Sequence, residues 1–186
     1  MPVIRESIVI TTDADNRPHI APLGLIEEPG GFIAAPFTPS RTLDNLRARP
    51  FLTASVTDDV RVFAGALTGR RDWPLLPAVK IAGFYLEGAH SHRELEVVDV
   101  SEDELRPRFH CRVAHEAAHA PAPGFNRAQA AVIEAAILAS RLHMLPPEKI
   151  RAELAYLTIA ISKTAGPREQ EAWGWLTEKI EAHLNG

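Results

Sequence analysis

Residues 4–36, IRESIVITTDADNRPHIAPLGLIEEPGGFIAAP, contain the pattern that decides the fold class. Two runs rich in apolar and β-branched residues, Ile4–Thr12 and His19–Ile26, are separated by the turn-forming segment Asp13–Pro18. A Pro-Gly-Gly turn then precedes a third apolar run at residues 32–36. Short apolar runs separated by Gly, Pro, Asn and Asp are typical of consecutive antiparallel strands. The segment therefore predicts a β-meander.

The rest of the chain has two compositional styles, divided at the Pro/Gly cluster of residues 121–124. Before it, we predict further strands at 51–57, 79–87, 94–100 and 108–113 and short helices at 40–48 and 59–67. After it, apolar residues at helical spacing predict three helices: 127–145, one from Pro147 to the stop at Gly166-Pro167, and one through Trp173. We therefore expect an α+β protein, with an antiparallel β-barrel over residues 1–120 and a helical region over 121–186 packed on it.

Composition and charge exclude several function classes. The 186 residues carry a net charge of −4 and no block of Lys and Arg. We expect no nucleic-acid partner, because neutralising phosphates needs a concentrated basic surface. No apolar stretch approaches the length of a membrane span, so no membrane partner is expected either. The N-terminus lacks the layout of a signal peptide and Cys111 is the single cysteine, which together predict a cytoplasmic protein without disulfides.

The segment around Ser40 is a candidate phosphate site. It follows a predicted strand and opens a predicted helix, for which Ser40 is a suitable N-cap. The unpaired N–H groups and partial positive charge of a helix N-terminus suit a phosphate. Ser40 and Thr42 add hydroxyl groups, and Arg41 adds a charged, forked donor. A plain capped helix with a solvated Arg41 is the alternative, and the residues alone leave both interpretations open.

Two further segments suit a flat ligand. Pro and Gly inside the strand at Ala21–Gly24 indicate an edge, a bulge, or the close approach of a planar ring. Val56, Thr57 and Asp58 end a strand with polar groups of the kind that ligand pockets use. The alternatives are a simple bulge in the first segment and, in the second, a turn in which Asp58 or Asp59 caps the next helix.

In their order along the chain, these segments resemble a family of unknown function from archaea and some bacteria, within the FMN-binding split β-barrel superfamily. The resemblance rests on Ile8–Thr12, Ala21–Gly24, Ser40–Leu46, Val56–Asp59, Asn126–Ala128 and Ala131–Ile137. The same superfamily holds pyridoxamine-phosphate oxidases and flavin reductases. The resemblance covers nearly the whole chain and implies an antiparallel split β-barrel of the FMN-binding type with a C-terminal helical subdomain.

The resemblance also implies a cofactor and a partner: FMN, bound at the subunit interface of a homodimer. The phosphate would be held by Ser40, Arg41, Thr42 and Asn45. The ring and ribityl chain would be lined by Pro22, Leu23, Gly24, Val56, Thr57 and Asp58. Arg127, in the first turn of a helix, would reach a phosphate of its own or the partner subunit, and an exposed capping-region Arg is the alternative.

FMN supplies the redox chemistry in such a protein, and the polypeptide positions and tunes it. No His or Cys stands out as an essential proton carrier, so no catalytic residue is assigned. The sequence thus predicts an FMN-dependent oxidoreductase or flavin reductase of unknown substrate. A non-catalytic flavin-binding module stays open as the alternative, and with it the question of turnover.

One motif competes with this interpretation: His115-Glu116-Ala117-Ala118-His119 matches the pattern HExxH. On a helix, this spacing places two His on one face to bind zinc, with the Glu as general base of a hydrolase. The required helix is blocked, because Arg108–Val113 alternates like a strand and Pro121 and Pro123 follow at once. We therefore predict no metal site and keep a zinc hydrolase as the least favoured alternative.

Three minor predictions complete the list of chemically interesting side chains. Cys111 is expected to face the barrel interior with Phe109 and Val113, as an inert thiol. His90 and His92 are assigned to a turn. Asn126 is expected to cap a helix, with Gln129 completing a capping box.

Overall fold

The computed structural model describes residues 2–186, which form two compact units. The first unit runs to Thr57 and continues over 73–122, and the second comprises 58–72 and 123–186. The second unit thus includes residues 58–72 in addition to the C-terminal region, whereas the sequence suggested one boundary near residue 120. Within residues 2–186, no helix combines the length and the apolar character needed to cross a bilayer.

The first unit is an antiparallel barrel with one helix. Its strands are β1 (Ile4–Thr12), β2 (Pro18–Glu28), β3 (Gly31–Ala34), β4 (Phe51–Val56), β5 (Leu75–Pro77), β6 (Phe84–Leu86), β7 (Ser91–Ser101) and β8 (Arg108–Ala118). In the described part of the chain, six strands close the barrel in the order β1-β2-β3-β8-β7-β4, and β4 pairs with β1. Helix α1 (Arg41–Ala48) connects β3 to β4. The predicted antiparallel barrel and α+β class are confirmed.

The meander predicted from residues 4–36 forms β1, β2 and β3. β1 and β2 pair along the whole of β1, and the turn between them is held by the Asp13 carboxylate, which accepts two backbone N–H bonds. β3 begins at Gly31, where a Cβ atom would overlap the backbone carbonyl oxygen of Cys111 on β8. Because no other residue lacks a Cβ, this close approach requires glycine.

The barrel interior is filled by aliphatic and small side chains from facing strands. The buried cluster consists of Val9, Leu25, Ala34, Leu43, Leu46, Leu52, Ala54, Leu95, Phe109 and Cys111. α1 supplies Leu43 and Leu46, which lie three residues apart on one helix face. The interior position of Cys111 is confirmed, and burial raises the pKa of its thiol to about 12, so little of it is a reactive thiolate at neutral pH.

The single strand predicted at 79–87 is wrong. Only its end forms a strand, β6, which pairs with β5 in a separate two-stranded sheet. Thr53 on β4 donates its hydroxyl to the Phe84 carbonyl at 2.5 Å, and the Leu86 N–H donates to Ser55 Oγ at 3.1 Å. Residues 79–81 do not join a ladder, because their backbone N–H groups donate to the carboxylate of Glu94 on β7.

β8 extends to Ala118, beyond the predicted end at Val113. Its pairing with β7 shifts between Glu94↔His115 and Leu95↔Val113, which leaves Ala114 as an extra residue on β8. Cross-strand partners share a face, and neighbours along a regular strand do not. Val113 is 36% exposed, although it continues the alternation of Phe109 and Cys111. Because His115 pairs with Glu94 and Val113 pairs with Leu95, the bulge places His115 on the face opposite Val113.

The second unit is helical. Its helices are α2 (Arg61–Thr68), α3 (Arg127–Ser140), α4 (Pro147–Thr164) and α5 (Pro167–Asn185), with a 3-10 turn at Leu142–Met144. The core between them consists of Val60, Ala64, Val132, Ala135, Ala136, Leu138, Ala139, Leu142, Ile150, Ala172, Leu176 and Ile180. The three predicted C-terminal helices are confirmed, but α3 ends at Ser140 rather than at Leu145.

The helix starts of this unit differ in part from the sequence prediction. Asn126 caps α3 as predicted, since its side chain accepts from the Ala128 N–H at 2.8 Å. The predicted capping box is wrong, because the Gln129 side chain donates to Glu169 at 3.1 Å instead. The N-cap of α2 is Val60 rather than Asp58 or Asp59, and it makes no side-chain capping bond.

Candidate functional site

The helix start predicted as a phosphate site has the expected local geometry. Ser40 is the N-cap of α1 in an extended conformation, and its Oγ accepts from the Leu43 N–H at 3.2 Å. The first N–H groups of a helix have no acceptor within the helix. Since Ser40 uses that of Leu43, the N–H groups of Arg41 and Thr42 are the ones available to an anion.

The Arg41 side chain is exposed beside this helix start. One of its terminal nitrogens lies 3.7 Å from a carboxylate oxygen of Asp13, near the outer limit of an ion pair. Exposed pairs of this kind contribute about 0–1 kcal/mol, so exchanging Asp13 for another anion costs little. The arrangement can therefore hold a phosphate with backbone N–H groups and one guanidinium.

Two other predicted phosphate residues are placed differently. Thr42 and Asn45 are both buried, so neither presents its side chain to solvent. The Asn45 amide donates to the Thr11 hydroxyl at 2.9 Å, which ties α1 to β1. Asn45 therefore positions the helix start, and Thr42 can reach an anion through its backbone N–H.

The segments predicted to line a ring are brought together by β1. Ile8 pairs with Pro22 on one side and with Ser55, the neighbour of Val56, on the other. β2 pairs with β3 only from Ile26 onward, so the Pro22–Gly24 segment has a ladder partner on one side alone. The predicted strand edge at Pro22 is thus present, and proline tolerates it because it has no N–H to pair.

Two predicted site residues belong to the second unit. Asp58 precedes α2, and Arg127 is the exposed first residue of α3. The neighbouring Asp59 accepts from the Arg61 backbone N–H at 3.2 Å and pairs with its guanidinium at 2.6 Å. The structure therefore places Pro22–Gly24, Ser40–Asn45 and Val56–Thr57 in the first unit, and Asp58 and Arg127 in the second.

The HExxH interpretation of residues 115–119 is excluded by the backbone. His115 and Glu116 lie in β8, and His119 follows the end of that strand. Neighbouring residues of a strand point to opposite faces, so Glu116 points away from His115. The helical arrangement that the HExxH motif requires is therefore absent from these residues. The prediction that the helix required by the motif does not form is confirmed.

A different polar cluster surrounds His92 and Glu94, which lie two residues apart on one face of β7. The Glu94 carboxylate is 0% exposed and accepts backbone N–H bonds from residues 79, 80 and 81 at 2.6, 2.7 and 2.9 Å. His92 is 1% exposed, and its Nε2 lies 3.3 Å from Glu94 Oε1. The ring nitrogens of His92 and His115 and the Glu94 oxygen all lie within 4.8 Å of one another.

A hydrogen bond and aromatic stacking fix the orientation of the rings in this cluster. His92 Nδ1 lies 2.8 Å from His119 Nε2, and the two rings are 3° from parallel with centroids 5.0 Å apart. At that separation the rings lie edge to edge in nearly one plane, joined by a hydrogen bond. Tyr85 on β6 stacks on His92 at 3.9 Å and 2°.

The electrostatics of the cluster follow from burial and hydrogen bonding. Burial by itself would raise the pKa of Glu94, but its three backbone donors and His92 hold that pKa below the usual value. The pKa of His92 is lowered, chiefly by burial, against the opposing effect of Glu94. At neutral pH the cluster therefore combines a carboxylate with a neutral imidazole.

The sequence analysis missed this cluster and wrongly placed His92 in a turn. Its only local signal is the His-x-Glu spacing at residues 92–94, which puts both side chains on one face of a strand. The contribution of His115 depends on the register of β8 and on the bulge at Ala114, which no local pattern reveals.

Comparison with known families gives two matches that together span most of the chain. A model described as "Protein of unknown function (DUF447) N-terminal domain" matches residues 5–120. A second, described as "Protein of unknown function (DUF447)", matches residues 126–178. The first match coincides with most of the barrel unit and the second with the helices α3, α4 and part of α5.

Solved structures with the same fold include three of known source. An FMN-bound DUF447 protein of Methanosarcina mazei superposes with a TM-score of 0.82 at 19% identity, covering 96% of both chains. The 2-nitrobenzoate 2-nitroreductase of Pseudomonas fluorescens gives 0.54 at 14% identity, covering 64% of this chain and 66% of that chain. An NADH:FAD oxidoreductase of Streptomyces globisporus gives 0.52 at 12%, with 61% and 70% covered. These likenesses establish the shared split-barrel fold.

Proposed function

Because the chain belongs to the DUF447 family, we propose that it binds FMN and works as a flavin-dependent oxidoreductase or flavin reductase. The Methanosarcina mazei protein, which shares the fold over 96% of both chains, is FMN-bound. The two enzymes that share the barrel over a smaller part of the chain are a nitroreductase and an NADH:FAD oxidoreductase. The substrate and the electron donor are left open by this proposal.

The observation that carries the proposal is the start of α1. Ser40, Arg41 and the backbone N–H groups of Arg41 and Thr42 form a cationic end suited to the FMN phosphate. Asn45, through its bond to Thr11, holds this end against β1. The residues present therefore fit the phosphate of a flavin nucleotide.

The ring and ribityl chain would lie along Pro22, Leu23, Gly24, Val56 and Thr57. Thr11, which anchors α1, stands three residues from Ile8, or about 10 Å along β1. An extended ribityl arm can bridge such a distance between a ring and its phosphate. Asp58 and Arg127 belong to the second unit, and their flavin contacts remain predictions of the family resemblance, as does the homodimer in which Arg127 would reach a phosphate of its own or the partner subunit.

FMN supplies hydride and electron transfer when bound, and the chain supplies binding and orientation. Backbone N–H groups and Arg41 fix the phosphate, while the half-buried strand edge at Pro22–Gly24 excludes water from one side of the ring. No side chain of the proposed flavin site is assigned a proton-transfer role. A flavin-binding module without turnover is the competing function, and the absence of NAD(P)H oxidation with any acceptor would favour it.

Flavin titration of an Arg41→Ala variant tests the proposal. Losing a charged hydrogen bond costs about 1.5–3 kcal/mol, so the FMN dissociation constant should rise by about 10- to 150-fold. Arg47→Ala is the matched control, because Arg47 lies in the last turn of the same helix and pairs with Glu102. Quenching of flavin fluorescence measures both constants. Failure of the wild-type protein to take up FMN would refute the proposed function, and equal constants in both variants would refute the phosphate assignment.

A further inference from the structure

We propose that His92, Glu94 and His115 bind one divalent transition-metal ion of the zinc type. The three side chains come from neighbouring strands on one face of the first unit: His92 and Glu94 from β7, and His115 as the cross-strand partner of Glu94. Two imidazoles and one carboxylate are a donor set that suits zinc and related ions. The site uses none of the residues proposed to bind the flavin, and it does not require a helix at residues 115–119.

The spacing of the ligand atoms fits an ion. Two ligands about 2.0–2.1 Å from a tetrahedral zinc ion lie about 3.4 Å apart. His92 Nε2 and Glu94 Oε1 are 3.3 Å apart, which is long for a hydrogen bond between these groups and close to that separation. One ring nitrogen of His115 lies within 4.8 Å of one ring nitrogen of His92 and of one carboxylate oxygen of Glu94. Because His115 is only half-buried, its side chain has room to close the remaining gap.

The charge of the cluster also favours a cation. Glu94 is fully buried, and among the described residues no Lys or Arg pairs with it. Of the side chains that the structure describes, the one within hydrogen-bonding reach of this carboxylate is His92, whose Nε2 lies 3.3 Å from Oε1. Buried carboxylates are normally paired with a charge or coordinate a metal, whereas this one contacts three backbone N–H groups and a His ring. Each Glu94 oxygen has two lone pairs. One lone pair of Oε1 accepts from the Val79 N–H, and the other faces His92 Nε2, where the ion would lie.

The histidine next to the site has the arrangement expected of an outer-shell partner. A metal-ligating His usually donates its second ring N–H to a neighbour, which fixes its tautomer and orientation. His119 Nε2 lies 2.8 Å from His92 Nδ1 in nearly the same plane, and Tyr85 stacks on both rings. His92 is thereby held with Nε2 toward Glu94.

Three protein ligands leave a coordination position for water or for an oxygen atom of another ligand. His115 is half-buried and the neighbouring His119 is exposed, so this side of the cluster is open to solvent. Sites of this open type are the ones that polarise a bound oxygen, whereas structural zinc sites have four protein ligands. The ligand class that the site would take is thus a small oxygen donor such as water or a carboxylate.

Zinc binding by the tag-free, flavin-loaded protein tests the proposal. After stripping with a chelator and dialysis against zinc chloride, elemental analysis should give about one zinc per chain, and calorimetry should give its dissociation constant. His115→Ala removes a half-buried ligand and should weaken binding at least about 100-fold, the upper end of what losing an outer-shell partner costs. His119→Gln should weaken it less, by about 10-fold.

His110→Ala is the matched control, because His110 lies on the same strand but bonds to Glu28. It should retain the wild-type zinc affinity. Flavin content and circular dichroism of each variant separate loss of the ion from loss of the fold. The proposal is overturned if the stripped wild type binds no zinc, or if His115→Ala binds it as tightly as wild type. In either case the cluster is a hydrogen-bonded Glu94–His92–His119 chain alone.

Discussion

The start of α1 and the cluster around His92 are both polar sites of the barrel unit, but they are built in opposite ways. At α1, neighbouring residues in the sequence are neighbours in space, since Ser40 caps a helix that begins at the next residue. At His92, the groups come from β6, β7, β8 and the segment after β5, and register alone brings them together. The first site is therefore visible in sequence, and the second emerges only from strand pairing.

The two sites also differ in what they contribute to stability. At the start of α1 the Arg41 guanidinium is exposed, whereas the fully buried Glu94 carboxylate accepts from three backbone N–H groups. A polar group of the first kind can be lost at small cost, and one of the second kind cannot. Mutations at the two sites should therefore separate widely in unfolding free energy.

The largest effect is expected for Glu94→Ala. The change removes the acceptor of three backbone N–H groups, of which that of Ile81 is buried and those of residues 79 and 80 are part-buried. Leaving a buried group unsatisfied costs about 1–3 kcal/mol, so unfolding in urea should lose at least about 2 kcal/mol. Glu96→Ala is the control on the same strand, where the half-exposed carboxylate pairs with Arg112 and should contribute less than about 1 kcal/mol. Similar losses for both variants would contradict an anchoring role for Glu94.

A smaller effect is expected for Ser40→Ala. Removing an N-cap side chain costs about 1 kcal/mol, because the Leu43 N–H loses its acceptor. Thermal or urea unfolding measures the loss, and Ser40→Asp, which can still cap, should restore most of it. If Ser40→Ala were as damaging as Glu94→Ala, the contrast between the two sites would disappear.

The smallest effect concerns Asp13, the present partner of Arg41. Its pKa is held below the usual value, first by the backbone N–H of Arg17 and further by the charges of Arg17 and Arg41. The stabilising contribution is therefore complete above the unfolded pKa of about 3.9 and is lost as the pH falls through the lower folded value. An NMR titration of the Arg17 amide should show its midpoint below about pH 3.9. A midpoint above it would contradict this hydrogen bonding.

The sequence predicted most of the barrel because its signals are local. The meander of residues 4–36, the cap at Ser40 and, in the helical unit, the first position of Pro147 in α4 each follow from neighbouring residues. The site residues Ser40 and Arg41 lie where a phosphate could be held, although the burial of Thr42 and Asn45 was not foreseeable. That burial depends on how α1 packs against the barrel strands.

What the sequence did not predict depends on long-range geometry. Residues 79–81 have a strand-like composition, yet their N–H groups donate to the carboxylate of Glu94, 13 to 15 residues further along the chain. The sequence itself indicates that the helix required by HExxH is blocked, but the position of His115 beside Glu94 depends on the bulge at Ala114, which has no local signature. The inclusion of 58–72 in the helical unit likewise follows from the burial of Val60 and Ala64 among helices synthesised much later.

This last feature constrains how the chain can be shortened. The polypeptide leaves the barrel unit after Thr57, returns to it at Trp73 and leaves it again after Ala122. A fragment cut at residue 122 would retain α2 without the later helices that cover Val60 and Ala64. During translation, the same apolar surface remains exposed until the final sixty or so residues have been synthesised. The helical unit thus begins at residue 58, before the last barrel strands, and it is complete only when the final helices are present.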